Sequence, residues 1–218
     1  MPLAYSISNG AFHGVLRAFS RWKVVGGERI PREGPLLVVS NHMSNVDPPL
    51  LAVSLRRRMF FMAKRGMFKG PVAPFLKAYG AYPLDRDGQD VGAMKWSLRL
   101  LRDGGVLVVF PEGTRSPGGL IPGLPGVGLL AVRSQAPILP VAITGTGHLG
   151  GLWRLLLPTG RITVTIGEPF TLPPVKGKLE RSQIEAATET IMLRVASLLP
   201  PESRGVYRSG VPQGIVGR

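Results

Sequence analysis

The stretch Pro35-Leu36-Leu37-Val38-Val39-Ser40-Asn41-His42-Met43-Ser44-Asn45-Val46-Asp47-Pro48-Pro49-Leu50-Leu51-Ala52-Val53-Ser54-Leu55 decides the fold. Its first part, 36–40, is apolar and β-branched without alternation and reads as a strand buried on both faces; its last part, 50–55, reads as a helix. Between them lies a loop holding a histidine and an aspartate. On an ideal helix two residues five apart would diverge by about 140°, so pairing them requires irregular backbone in between. Pro48 steers Asp47 away from the helical region, while Asp47 is a good N-cap and Pro48 a good first helical residue. The helix is therefore expected to begin just after Asp47, with the loop curling His42 back onto the carboxylate. Asp47 would then fix the imidazole tautomer and stabilise the imidazolium, as in Ser-His-Asp sites, except that the nucleophile need not belong to the protein. The plainer alternative is that Asp47 only caps a helix and His42 satisfies loop carbonyls.

Further apolar runs at 22–25, 59–63, 80–84, 106–110, 138–143 and 162–166 read as strands. Helical patterns fall between and after them. Val91, Met94, Leu98 and Leu101 repeat at helical spacing before Gly104-Gly105, and a late helix opens on the capping-box pattern Ser182-Gln183-Ile184-Glu185, with Ile184, Ala187, Ile191, Val195 and Leu198 on one stripe. Continuous apolar strands alternating with helices predict an α/β fold: a largely parallel central sheet flanked by helices. The division expected is an N-terminal helical segment at 1–21, a domain at 22–199 and a flexible basic tail at 200–218 that is rich in Pro, Gly and Arg.

Sites in such sheets gather at the carboxyl ends of the strands. That rule collects His42 and Asp47, then Asp85 and Arg86, then Glu112 and Arg115, then the residues from Thr144 to Thr146. Arginine offers a planar fork of donors matched to phosphate oxygens, so Arg86 and Arg115 near His42 describe a pocket for a phosphorylated alcohol. Glu112 would hydrogen-bond a substrate hydroxyl or hold one arginine in place. The competing reading is of ordinary loop salt bridges, Arg86 with Asp85 or Asp87 and Arg115 with Glu112.

The chain has 218 residues, 27 Lys and Arg against 13 Asp and Glu, and a formal charge of +14, which calls for an anionic partner. It has no cysteine, so a thiol nucleophile, disulfides and thiolate metal sites are excluded. His13, His42 and His148 show no metal-ligand spacing, and no metal or cofactor is expected. The region 116–153 is too broken by Gly and Pro to span a bilayer.

The blocks Asn41-His42-Met43-Ser44-Asn45-Val46-Asp47, Gly80 through Arg86, Phe110-Pro111-Glu112-Gly113-Thr114-Arg115 and Pro137-Ile138-Leu139-Pro140-Val141 resemble, in order and spacing, the four sequence blocks of the glycerolipid acyltransferases typified by 1-acyl-sn-glycerol-3-phosphate acyltransferase. The resemblance spans roughly 22–170. It implies transfer of a fatty acyl group from acyl-CoA or acyl carrier protein to the free hydroxyl of lysophosphatidic acid, giving phosphatidic acid in phospholipid biosynthesis. It further implies that His42 is the general base and Asp47 its orienting partner. Arg86, Glu112, Gly113, Thr114 and Arg115 would line the substrate-binding site, and the block around Pro140 would lie on the acyl-donor side. One departure stands out: the family commonly has a basic residue before the glycine matching Gly126, where this chain has Pro125. Its task would pass to Arg115 or Arg133.

Lipid substrates imply contact with an anionic membrane surface on the cytoplasmic face of the cell membrane, peripheral or monotopic. The N-terminal segment, with Ile7, Phe12, Val15, Leu16 and Phe19, is read either as an interfacial membrane-contact helix or as one packed on the domain. The run Lys64-Arg65-Gly66-Met67-Phe68-Lys69 is a second anchor candidate. Nucleic acid is not expected as a partner, since only the charge favours it and no recognised binding motif appears. Glycerol 3-phosphate or another lysophospholipid is the alternative acceptor. A hydrolase and a non-catalytic basic lipid-binding protein are the alternative functions.

Overall fold

The computed structural model describes residues 3–69, 73–85, 90–175 and 177–211. Seven strands, β1 (Ser20–Val25), β2 (Leu36–Ser40), β3 (Met59–Lys64), β4 (Ala81–Leu84), β5 (Val106–Val109), β6 (Ile138–Thr144) and β7 (Gly160–Ile166), form one sheet in the order β1-β7-β6-β2-β5-β3-β4. Among the described residues six α-helices accompany them: α1 (Leu3–Phe19), α2 (Asp47–Leu55), α3 (Ala73–Ala78), α4 (Val91–Arg102), α5 (Gly126–Ser134) and α6 (Arg181–Ser197). All pairings are parallel except β6 with β7.

Every residue of β2 is buried because both faces of the sheet are covered. Leu36 and Val38 pack into one core with Phe12 and Leu16 of α1 and Leu50 and Leu51 of α2. Leu37 and Val39 pack into the other with Leu101 of α4, Val127 and Leu130 of α5 and Ile191 of α6. The chain thus leaves β2 toward one face and β5, the adjacent strand, toward the opposite face. Loops that part in this way above neighbouring strands open a crevice at the carboxyl ends. Because β7 opposes β6 and β1 follows β7, the amino ends of β1 and β7 lie on this same rim.

Both ends of the chain are tied to the domain over their described residues. Helix α1 is built into the core, with Tyr5, Phe12 and Leu16 buried, and the Tyr5 hydroxyl donates to the Arg57 carbonyl (3.2 Å) and accepts from Met59 N–H (3.2 Å). The tail, over its described part, is fixed rather than flexible. Its 3₁₀ turns Pro201–Ser203 and Gly205–Tyr207 bring Tyr207 and Val211 against Met192 and Ala196 of α6, while Arg204 is buried and donates to the Leu199 carbonyl (3.0 Å). Two apolar anchors outweigh the loose composition around them; residues 212–218 lie outside the described residues.

Two local expectations also shift. Helix α6 is capped by Glu180, whose carboxylate and the Gln183 side chain close the capping box, not by Ser182. On α4 the buried stripe is Ala93, Ser97 and Leu101, and Val91 is exposed at its rim end.

Candidate active site

Asn41 follows β2 and ties its loop to the neighbouring strand. Its side chain donates to the Ile143 carbonyl (2.9 Å) and accepts from Ile143 N–H (2.7 Å), a two-point clamp onto β6. His42 comes next, with its Nδ1 2.9 Å from Asp47 Oδ2. The aspartate is fully buried and is itself the first residue of α2, with Val46 in the N-cap position, so the expected N-cap role is corrected. Its carboxylate instead caps the loop that precedes it. Oδ2 accepts from Met43 N–H (2.6 Å) and Ser44 N–H (2.7 Å), and Oδ1 accepts from the Thr146 hydroxyl (2.8 Å).

With three other donors converging on it, Asp47 acts as an acceptor, so the hydrogen on His42 is assigned to Nδ1. Nε2 is left with a free lone pair and no partner among the described residues. The imidazole stacks on Phe110 (centroids 4.2 Å apart, planes at 24°), and its side chain is 17% exposed. The ring is thus held by a carboxylate at one nitrogen and an aromatic face at its side, and is reachable at the other nitrogen.

Glu112, expected to line the substrate site, is turned into the protein. It is 4% exposed, and both oxygens are engaged: Oε1 accepts from His42 N–H (2.9 Å), and Oε2 from Ile121 N–H (3.2 Å) and the Ser116 hydroxyl. Ser116 N–H completes the link by donating to the His42 carbonyl (2.7 Å). Burial pushes the Glu112 carboxyl above the ordinary carboxylate range, although these hydrogen bonds pull the other way. Glu112 is therefore a brace between the loops after β2 and β5, and the Glu112–Arg115 salt bridge of the competing reading is absent among the described residues.

Gly113 has φ +66°, and the Leu124 side chain lies over it, 2.6 Å from where a Cβ would stand. Thr114 and Arg115 are exposed, and Arg115 makes no ion pair among the described residues. Pro125 occupies the N-cap position of α5 and offers no side-chain donor, whereas Arg133 sits in the last turn of that helix, away from the rim. Of the two substitutes for the missing basic residue, Arg115 is the one on the loop that follows β5. Arg86 lies outside the described residues; Asp85, one of its candidate partners, is paired with Arg65 (2.7 Å).

The loop after β6 contributes more than the sequence suggested. Besides Thr146, it accepts from Ser44 Oγ at the Leu149 carbonyl and from Asn45 Nδ2 at the Gly150 carbonyl (3.1 Å). Thr146 was visible only as a strand-end hydroxyl, with nothing in its local sequence to assign it to Asp47.

A largely parallel α/β sheet whose switch point presents a solvent-reachable imidazole, hydrogen-bonded to a buried carboxylate, has the geometry for general-base chemistry. Residues 21–144 match the model of the family described as Acyltransferase. The chain belongs to this family, and it is an acyltransferase. It is 26% identical over 196 residues to the 1-acyl-sn-glycerol-3-phosphate acyltransferase of Bacillus subtilis, covering 89% of this chain and 96% of that one. A chloroplastic 1-acyl-sn-glycerol-3-phosphate acyltransferase of Brassica napus is 32% identical over 147 residues, 65% of this chain and 40% of that protein. The crystal structure of the 1-acyl-sn-glycerophosphate acyltransferase PlsC from Thermotoga maritima superposes with a TM-score of 0.66 at 29% identity, covering 86% of this chain and 74% of that chain.

Proposed function

We propose that this acyltransferase moves a fatty acyl group from an acyl thioester, acyl-CoA or acyl carrier protein, to the free hydroxyl of lysophosphatidic acid, forming phosphatidic acid for phospholipid biosynthesis. The observation that carries the reading is the His42–Asp47 pair at 2.9 Å, with Nε2 free of a partner among the described residues; Arg115, exposed and without an ion pair among those residues, directly precedes Ser116, whose N–H donates to the His42 carbonyl. His42 Nε2 takes the proton of the acceptor hydroxyl as its oxygen attacks the thioester carbonyl. A C–O bond forms and a tetrahedral oxyanion appears; as it collapses the C–S bond breaks, and the imidazolium returns its proton to the leaving thiolate. Asp47 holds the tautomer and stabilises the imidazolium, and no covalent acyl-enzyme is needed. Arg115, with Thr114 and Gly113, receives the acceptor phosphate; Arg86 is proposed for the same site from the sequence blocks.

Both lipids belong to a bilayer, so the enzyme works at the cytoplasmic face of the cell membrane as a peripheral or monotopic protein, drawn there by its charge of +14. Among the described residues no helix is long and apolar enough to cross a membrane.

The test offers purified protein lysophosphatidic acid, glycerol 3-phosphate and other lysophospholipids in vesicles, with each carrier, and with His42→Ala as control. Phosphatidic acid made by the wild type and not by the variant is the expected result. Acylation of glycerol 3-phosphate alone would replace the acceptor, and thioester loss without lipid product would indicate hydrolysis.

A further inference from the structure

Away from the His42 loop, the catalytic rim carries a corner that the acyl-transfer chemistry does not use. Strands β1 and β7 place Arg21 directly opposite Arg161, both exposed and neither ion-paired among the described residues. Like charges in register on neighbouring strands repel, so the pair costs stability unless an anion lies between them. An open cavity of about 390 Å³ lies at this junction, lined by Ala18, Phe19, Ser20, Arg21, Gly160 and Arg161.

Next to it, the 3₁₀ turn Leu152–Leu155 holds Trp153 at 56% exposure, and Leu156 beyond it reaches 74%. These are large apolar side chains in water, on a turn held from beneath by buried Leu149 and by Leu155 packed on the core. Arg154 lies over the Trp153 ring (4.1 Å). An indole and leucines flanked by cations are suited to an interface with apolar material below and anionic groups at its surface.

The corner is also joined to the catalytic residues. Gly145 has φ +85°, and a Cβ there would stand 1.9 Å from the Arg161 carbonyl oxygen, so the backbone of Arg161 abuts the residue before Thr146. Thr146 in turn holds Asp47.

We propose that this corner docks the enzyme on an anionic bilayer, Arg21 and Arg161 clamping the phosphate of a lipid headgroup while Leu152, Trp153 and Leu156 enter the acyl boundary. Docking there turns the rim that bears His42 toward the bilayer surface. The proposal rests on the reading that the acceptor is a membrane lipid, and it gives that reading a surface. A bilayer is favoured over an acidic protein because the exposed apolar side chains Leu152, Trp153 and Leu156 alternate with the cation of Arg154 and adjoin the Arg21–Arg161 pair, a mixture matched to the boundary between headgroups and acyl chains.

The experiment measures partition onto phosphatidylglycerol/phosphatidylcholine vesicles by sedimentation, using full-length protein carrying His42→Ala so that binding is read without turnover. Reversing both arginines (Arg21→Glu with Arg161→Glu) is expected to lower partition by about 30-fold on the anionic vesicles, with little effect on pure phosphatidylcholine. Trp153→Ala with Leu156→Ala is expected to lower it at least about tenfold on either vesicle, and Trp153→Phe to restore most of the loss at that position. Brominated acyl chains should quench Trp153 emission in protein carrying Trp22→Phe and Trp96→Phe. In an otherwise wild-type background, both surface variants should keep normal turnover of a short-chain lysophosphatidate dissolved as monomers, which also establishes that they fold. Unchanged partition in both variants would overturn the proposal. So would release of wild-type protein by millimolar inorganic phosphate at constant ionic strength, or loss of acyl carrier protein binding with vesicle binding intact. Absence of acyl transfer with every substrate pair would instead defeat the enzymatic reading and leave the partition results standing.

Discussion

The Thr146 hydroxyl donates to the one Asp47 oxygen that His42 does not use, at 2.8 Å and with both side chains fully buried. The catalytic pair is thereby fixed from the loop after β6 as well as from its own loop. Thr146 touches no reacting atom; it is a positioning residue for the carboxylate.

Thr146→Val keeps the shape and removes the donor. Withdrawing a hydrogen bond from a buried charged group costs about 1–3 kcal/mol. Unfolding midpoints should fall accordingly, and kcat should fall with little change in KM. The acidic limb of the kcat–pH profile should also move, because the imidazolium is stabilised through Asp47. Thr146→Ser should restore all three readouts, and a loss of stability with an unmoved pH profile would make Thr146 merely structural.

His42→Ala and Asp47→Ala should be equally inactive and differ in stability. Losing the general base lowers kcat by roughly 10²- to 10⁴-fold and leaves the loop's backbone hydrogen bonds in place. Removing Asp47 strands the N–H groups of Met43 and Ser44 and the Thr146 hydroxyl, at a total of at least about 3 kcal/mol. Denaturant melts of the two variants side by side decide the point.

Glu112 gives a pH dependence whose sign can be worked out. Burial raises its carboxyl pKa in the folded protein, so the native state binds this proton more tightly than the unfolded chain does. Its contribution to stability is full below the ordinary carboxylate pKa and declines as pH rises through the elevated one. Glu112→Gln removes that slope. The stability difference, wild type minus variant, should shrink as pH is raised from the ordinary carboxylate range toward neutrality, as read by urea denaturation at a series of pH values. A difference that grows over that window would show the hydrogen bonds to outweigh burial.

Arg115→Ala should leave the fold intact, because the side chain is exposed and unpaired among the described residues. Losing a charge-assisted contact to the acceptor phosphate should raise its KM by roughly tenfold or more, with KM for the acyl donor unchanged. Arg115→Lys should recover part of the loss, since it retains the charge without the planar fork. A fall in kcat alone would remove Arg115 from the phosphate site.

Much of the fold could be read locally. The bounds of β2 and α4 agree with the apolar run at 36–40 and the helical period at 91–102, because each pattern reflects which faces an element buries. Where local reading erred, a distant contact was responsible. Val91 lies where α4 emerges at the rim and finds nothing to pack against, while Ser97 faces the core with its hydroxyl returned to the Ala93 carbonyl (2.8 Å). The 200–211 segment looks loose in composition, yet Tyr207 and Val211 have a site waiting beside α6.

The sequence by itself determined a doubly covered α/β sheet and a His–Asp pair in the loop after its central strand. Apolar periodicity, proline and a five-residue spacing are local properties of the chain. The tertiary structure alone decided that Glu112 braces the loop that carries His42, that Thr146 completes Asp47's hydrogen bonds, and that Arg21 stands opposite Arg161. Each of these links joins residues about 70 to 140 positions apart, such as Glu112 with His42 and Thr146 with Asp47. Such partners are set by strand order and by the antiparallel pairing of β6 with β7, since a polar group buried by the fold must bond to whatever the neighbouring strand's loop brings within reach.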